Sequence, residues 1–213
     1  MSEEFFDHIV YSKNVIEFVT VANEYCTFIE NNSAFSQKQL VEKAQKIFAL
    51  LYLKASLLPE IDSENAETPE KCVTEVDYNY LLENISAKLG EHDGYLEVFD
   101  PNMQFSDAPL ESSISENICD IYQDLKDFIF AFRIGTVEIM ADALWECQNN
   151  FKEFWGQKLV NCLRAIHALI YSENSLNEIP TVNSNEAKQN NNPWISKHFD
   201  SYSNGDEQFD NEL

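Results

Sequence analysis

Residues 36–59 read SQKQLVEKAQKIFALLYLKASLLP, and this stretch indicates the fold class. Ser36 and Gln39 have the spacing of a helix-start capping box, and Pro59 lacks the backbone donor that a continuing helix needs. Apolar residues recur every three or four positions in between, at Leu40, Ala44, Ile47, Phe48, Leu51, Ala55 and Leu58. This spacing predicts an amphipathic helix over residues 37–58, with its apolar side in a core and Lys43, Lys46 and Lys54 in solvent.

Three further segments show helical spacing of apolar residues. The first begins near Asn14, which we expect to cap it, and ends at Asn31. The second covers residues 74–89 and is followed by Gly90, a suitable residue beyond a helix C-terminus. The third begins at residue 113 or 115, where Ser113 and Glu116 have the spacing of another capping box.

The last apolar pattern stays in phase from residue 137 to residue 170. It predicts one long helix or two collinear helices, and Gly156 and the pair Asn149-Asn150 are the expected positions of a kink. Residues 90–109 are aromatic but lack helical spacing, so we expect a long loop there, with residues 93–105 as a lid.

The composition agrees with a helical fold. Only 5 Gly and 6 Pro occur in 213 residues, which is typical of long helices rather than of a turn-rich β-protein. We therefore predict an all-α bundle of five or six helices with a long C-terminal helix. Residues 1–171 form the predicted bundle domain, and residues 172–213 form a polar, acidic and disordered tail.

The chain is strongly acidic, with a formal net charge of −23. Residues 60–127 carry 18 acidic and 3 basic residues, so most of the negative charge lies in the middle of the chain. Nucleic acids and anionic membrane surfaces are excluded as expected partners, because both require a basic surface. A solvated acidic face is the simplest interpretation, and a basic protein partner or a cation is the alternative.

The compartment is predicted from the N-terminus and the cysteines. The acidic start MSEEFFD has no basic, apolar leader, and the longest apolar run is far shorter than the roughly 20 residues that span a bilayer. The 5 cysteines include no Cys-x-x-Cys pair and no zinc-ligand spacing with the histidines. We expect a cytoplasmic protein with reduced, buried and unreactive thiols.

Motifs that carry chemistry are missing from the sequence. It contains no glycine-rich phosphate loop, no Gly-x-Ser-x-Gly elbow and no His-Glu-x-x-His. We therefore predict no catalytic residue, no metal ligand and no cofactor. One row of carboxylates follows a single helix side opposite its apolar stripe, and we expect a solvated face there, with a divalent-cation site as the alternative: Glu116, Asp120, Asp124 and Asp127.

The ligand-site hypothesis involves two helices whose apolar stripes should face each other. Tyr122 and Asp124 lie near the stripe of one helix, and Arg164 and His167 lie near that of the other. Because buried polar groups need partners, we expect these four residues to approach one another beside a pocket. A purely structural ion pair between Asp124 and Arg164 is the alternative.

Three stretches together carry a family resemblance. They are residues 89–101 (LGEHDGYLEVFDP), residues 113–126 (SISENICDIYQDLK) and residues 154–167, which open with Phe-Trp-Gly and close with Leu-Arg-Ala-Ile-His. In this order they resemble the bacterial family catalogued as domain of unknown function 5063. The resemblance covers residues 14–171 and implies a helical bundle in a bacterial cytoplasm, with no established activity. Phe154 and Lys158 stand where the family pattern has histidines, which argues against a histidine-based metal site.

Two classes of function follow from these observations. The first is a non-enzymatic interaction or regulatory domain, which the charge and the missing catalytic motifs favour. The alternative is an enzyme or small-ligand binder that uses the polar seam around Tyr122, Asp124, Arg164 and His167.

Overall fold

The described part of the protein is a helical bundle with one short hairpin. A computed structural model describes residues 8–63, 70–97, 110–172 and 176–178, apart from the side chain of residue 134. Within these residues the main helices are α1 (Lys13–Glu30), α2 (Gln37–Ser56), α3 (Glu75–Leu89), α4 (Ile114–Ile134), α5 (Val137–Asn150) and α6 (Gly156–Tyr171). Single 3-10 turns cover Ile9–Tyr11, Asn32–Ala34 and Gly90–His92. The predicted all-α class is confirmed.

The predicted start of α2 is confirmed in detail. Ser36 Oγ accepts a hydrogen bond from the Gln39 backbone at 3.2 Å, and Gln39 Oε1 accepts one from the Ser36 backbone at 3.0 Å. Leu51 and Ala55 are buried and Lys43 and Lys46 are exposed, as expected. The helix ends at Ser56, two residues before the predicted end at residue 58.

Two burial expectations for α2 are wrong. Ile47 is only half-buried, and Lys54 is also half-buried because its ammonium lies 2.7 Å from Glu17 on α1. The predicted Asn14 cap of α1 is wrong as well. The helix begins at Lys13, and the Asn14 amide instead donates to the Leu57 carbonyl at 2.9 Å.

The long C-terminal helix is present and is interrupted in the predicted region. The interruption is a π-helical turn, Phe151–Trp155, which follows α5 directly and leads directly into α6. The extra residue of a π turn changes the phase of the side chains. Trp155 is fully buried there, and its indole N–H donates to the Cys147 carbonyl at 3.2 Å.

The hairpin was not predicted. Strand β1 (Gly94–Leu96) pairs antiparallel with β2 (Glu111–Ser113), with Gly94 opposite Ser113 and Leu96 opposite Glu111. The first strand of the hairpin lies within residues 90–109, for which the sequence predicts a loop. Most of the predicted lid, including Asp100 and Phe99, lies outside the described residues.

Helix α4 is the central element of the core. It packs against α1, α3, α5 and α6, while α2 packs against α1 and α6. Ile118, Ile121 and Leu125 of α4 are almost inaccessible to solvent. Every helix in the described part of the chain is too short or too polar to span a membrane.

Residues 176–178 contact the start of α2. Leu176 packs against the core, the Asn177 backbone N–H donates to Gln37 Oε1 at 2.8 Å, and the Lys38 backbone N–H donates to the Asn177 carbonyl at 3.0 Å. These contacts extend beyond residue 171, where the sequence placed the domain end. Residues 179–213 lie outside the described residues, so disorder of that tail stays a prediction.

Candidate functional site

The carboxylate row of α4 does not form a solvated face. Glu116 is exposed, but Asp120 and Asp124 are half-buried and Asp127 is only 4% exposed. The expectation is wrong because α4 has neighbours on several sides, so its polar side also faces other parts of the protein.

Asp120 and Asp127 each connect α4 to another segment of the chain. Asp127 Oδ1 accepts hydrogen bonds from the backbone N–H groups of Cys72 and Val73, at 2.7 and 3.0 Å. Asp120 accepts a hydrogen bond from the Tyr78 hydroxyl at 2.7 Å and forms an ion pair with Lys158. Both arrangements connect α4 to other segments and explain why these carboxylates tolerate burial.

Asp124 lies between them and lines a small cleft. The Asn150 amide donates to Asp124 Oδ1 at 2.8 Å, and the Lys71 ammonium lies 2.7 Å from Glu146 across the cleft. The interior has room for about one water molecule. The following residues line it: Glu70, Lys71, Asp124, Asp127, Phe128, Ala143, Glu146, Cys147 and Asn150.

The electrostatics of this cleft favour a protonated carboxyl. Burial raises the pKa of Asp124 to about 6, against opposing effects of the Asn150 amide and the Lys71 charge. Asp127 and Glu146 raise this pKa further, because their negative charges disfavour a third. Asp124 can therefore exchange a proton slightly below neutral pH, but the cleft is too small for an organic substrate in this conformation.

Tyr122 contacts α1 rather than the cleft. It is 5% exposed, and its hydroxyl donates to Glu30 Oε1 at 2.9 Å. Lys126 also binds that oxygen, at 2.6 Å. Burial raises the pKa of the Tyr122 hydroxyl well above its ordinary value. This group is a structural donor in the described geometry.

Arg164 and His167 are exposed on α6. The apolar side of α6 points into the core through Leu159, Cys162 and Ile166, and this rotation leaves Arg164 and His167 outside. The His167 ring packs against the Tyr171 ring, with centroids 4.6 Å apart.

The expected approach of Arg164 and His167 to Tyr122 or Asp124 is absent from the described hydrogen bonds and ion pairs. The structure instead places Asp124 in the cleft, Tyr122 beside Glu30, and the two α6 residues on the surface. Ligand binding by these four residues stays a prediction.

The thiols have environments that disfavour the reactive thiolate. Cys26, Cys119, Cys147 and Cys162 are buried, and Cys72 is half-buried. Burial raises the pKa of Cys119 and of Cys72 to about 12, and it raises the pKa of the others as well. Within the described ranges, no group of three or more His, Cys, Asp or Glu side chains is arranged to hold a metal ion.

Asp93, whose carboxylate organises the start of α4, is not among the residues predicted from the sequence. Asp93 accepts hydrogen bonds from the Ser115 backbone at 2.8 Å and from the hydroxyls of Ser115, Ser113 and Ser86 at 2.6, 3.0 and 3.1 Å. The Ser113 half of the predicted capping box also forms, with Glu116 N 3.3 Å from Ser113 Oγ. The Asp-Gly pair at residues 93–94 is a turn signal that could have indicated this position.

The second candidate site is a surface on α2. Leu50 and Leu53 of α2 are 43% and 52% exposed, and Leu57, the residue that caps the C-terminus of α2, is 46% exposed; the three follow one another at helical spacing. Lys43 and Lys46 continue the same line toward the N-terminus of the helix. We call residues 43, 46, 50, 53 and 57 the α2 seam.

The fold and these sites define a small helical-bundle protein in which most buried polar side chains hydrogen-bond to the backbone or to other side chains of the fold. The chain belongs to the family described as a domain of unknown function, DUF5063, whose family model matches residues 9–172. The resemblance noted in the sequence is thereby confirmed.

A solved structure supports this membership. The crystal structure of protein BF1032 from Bacteroides fragilis is 44% identical to this chain and superimposes with a TM-score of 0.70. The match covers 79% of this chain and 99% of that one. The search of curated proteins found no match.

Proposed function

We propose that this protein is a non-enzymatic interaction domain that binds another protein through α2. The observation that carries the proposal is the exposure of three leucines in line on that helix. Single exposed apolar residues are common on protein surfaces, but a continuous row is typical of a binding surface. Burial of each leucine against a partner would contribute roughly 1–2 kcal/mol, given their partial exposure.

The polar interior supports the same proposal. Asp120, Asp127 and Glu30 each have partners on other segments, which gives them structural roles. The thiols have raised pKa values and therefore make poor nucleophiles at neutral pH. With a net charge of −23, a protein is a better expected partner than a nucleic acid.

The test is a comparative affinity purification from the native host. The bait proteins are the full chain, Leu50→Ser/Leu53→Ser, and the control Val160→Ser, which changes a residue that is 42% exposed on α6. We expect a specific partner to be retained by the full chain and the control and to be lost from the double variant. Equal recovery with all three folded baits would contradict the proposal.

As a separate part of the proposal, a basic protein binds the acidic surface of α3. Helix α3 exposes Val76 and Tyr80 on one side, with Glu75 and Glu83 also in solvent. This combination suits a basic protein with apolar contacts. Glu75→Lys/Glu83→Lys should weaken such a complex, and an unchanged affinity would contradict this part.

Small-ligand binding at the polar seam is the alternative function. It is favoured by Asp124, a half-buried carboxyl with a raised pKa at a cleft. A thermal-shift screen of metabolites at pH 5 and pH 7 tests it, with Asp124→Asn as the control. A ligand that stabilises the full chain but not this variant would support the alternative.

A further inference from the structure

The residues of the α2 seam have the heptad spacing of one helix of a coiled coil. Its positions 43, 46, 50, 53 and 57 are separated alternately by three and four residues, which keeps them on one side of a helix. The first two positions are lysines and the last three are leucines. The seam is therefore divided into a basic half of about one turn and an apolar half of about two turns.

The two seam lysines have charge available for a partner. Among the described residues, Lys38 forms an ion pair with Glu178 and Lys54 forms one with Glu17, whereas Lys43 and Lys46 form none. Lys43 lies over the Phe35 ring, with its ammonium 4.2 Å from the centroid, and this contact leaves the charge uncompensated. Of the four lysines of α2, these two form no ion pair with another described residue, so this part of the helix is a basic surface on a strongly acidic protein.

Self-association through the α2 seam is disfavoured by this charge pattern. A parallel pair of seams would place lysines opposite lysines, and an antiparallel pair would place them opposite Leu53 and Leu57. Neither arrangement gives the lysines an acidic partner, and like charges in contact are destabilising. A partner helix with carboxylates opposite the lysines and apolar residues opposite the leucines is complementary to both halves of the α2 seam.

We infer that the α2 seam binds an amphipathic helix of a partner protein. That helix carries aliphatic residues opposite Leu50, Leu53 and Leu57, and Glu or Asp opposite Lys43 and Lys46. This inference rests on the proposed function and specifies the chemistry of the partner. The leucines supply affinity, and the charges determine the orientation and the choice of partner.

Two synthetic peptides test the inference. Both are about three heptads long, with leucine at the seam positions of one half. The acidic peptide has glutamate at the seam and flanking positions of the other half, and the basic peptide has lysine there. Fluorescence anisotropy with the full chain measures both affinities at low and high salt.

We expect the acidic peptide to bind at least about tenfold more tightly than the basic one, with a smaller difference at high salt. Lys43→Glu/Lys46→Glu should reverse the preference. Arg133→Glu, at an exposed position near the end of α4, should leave the preference unchanged. Circular dichroism melting confirms that each variant is folded.

Three outcomes overturn the inference. Binding of both peptides with equal affinity, lost in Leu50→Ser/Leu53→Ser, would leave the proposed function standing and reject the acidic partner. Absence of binding by the acidic peptide would also reject it, and the purification experiment would then judge the proposed function separately. A dimer that Leu53→Ser dissociates in sedimentation experiments would assign the α2 seam to a second copy instead.

Discussion

At the scale of single residues, neighbouring carboxylates on α4 have different environments. Asp127 is nearly inaccessible but accepts hydrogen bonds from two backbone N–H groups. Asp124, one turn earlier, accepts from the Asn150 amide, and burial raises its pKa to about 6. At Asp124, the effect of burial on the pKa exceeds the opposing effect of the Asn150 hydrogen bond.

The raised pKa makes Asp124 a source of pH-dependent stability. Its folded pKa of about 6 exceeds the ordinary value of 3.8, so the folded state binds more protons between roughly pH 4 and pH 6. Stability from this group is therefore lost as the pH rises through that window. Asp124→Asn should increase the free energy of unfolding, by about 1 kcal/mol more at pH 8 than at pH 5.

Urea denaturation at the two pH values measures this difference. Glu116→Gln is the matched control, because Glu116 is exposed on the same helix and removal of its charge should have little effect. An equal change for Asp124→Asn at pH 5 and pH 8 would contradict the predicted titration.

At the scale of elements, the π-helical turn between α5 and α6 is closely packed at its C-terminal end. Gly156 follows this turn and is buried. A Cβ atom at Gly156 would lie 2.3 Å from the Phe151 carbonyl oxygen and 2.8 Å from the Phe151 ring. The turn therefore requires a residue without a side chain at this position.

Gly156→Ala tests that requirement. Helix propensity and steric conflict should change the free energy of unfolding in opposite directions. Helix propensity alone would favour alanine by about 1 kcal/mol. The steric conflict should outweigh this gain and lower the free energy of unfolding by about 1–3 kcal/mol. Gln157→Ala, at the exposed next position, should change it by less than about 0.5 kcal/mol. A Gly156→Ala protein as stable as the original would show that the turn relaxes without cost.

At the scale of the whole molecule, the contact of residues 176–178 joins the C-terminal part of the bundle to α2 and α3. Gln37 is the shared residue, because its side-chain oxygen accepts from the Asn177 backbone and its amide donates to the Leu89 carbonyl at 2.9 Å. Residues 176–178 are therefore held to α2 by tertiary contacts that lie beyond the end of α6.

Two truncated chains measure how much residues 176–178 contribute to stability. A chain that stops at Ser172 loses the Leu176 and Asn177 contacts, which should cost about 1–2 kcal/mol and lower Tm by roughly 2–8 °C. A chain that stops at Glu178 should melt like the full protein, as the polar composition of the remaining tail predicts. Equal melting of the two truncated chains would show that residues 176–178 contribute nothing.

The helices of this protein follow from local sequence. The Ser36–Gln39 capping box, Pro59 and the apolar stripes predict where helices begin, end and face the core, because these signals act within one or two turns. The irregular region between Asn149 and Gly156 was also indicated by residues that tolerate a change of helix geometry.

The environments of the polar residues required the tertiary structure. The periodicity of α4 identifies its apolar side, but it cannot reveal that α3, α5 and α6 also cover parts of its carboxylate side. The partners of Asp93, Asp127 and Tyr122 lie on other segments, and the rotation of α6 leaves Arg164 and His167 in solvent. Helix formation depends on near neighbours in the chain, whereas burial and pairing depend on which segments meet, and only the fold determines that.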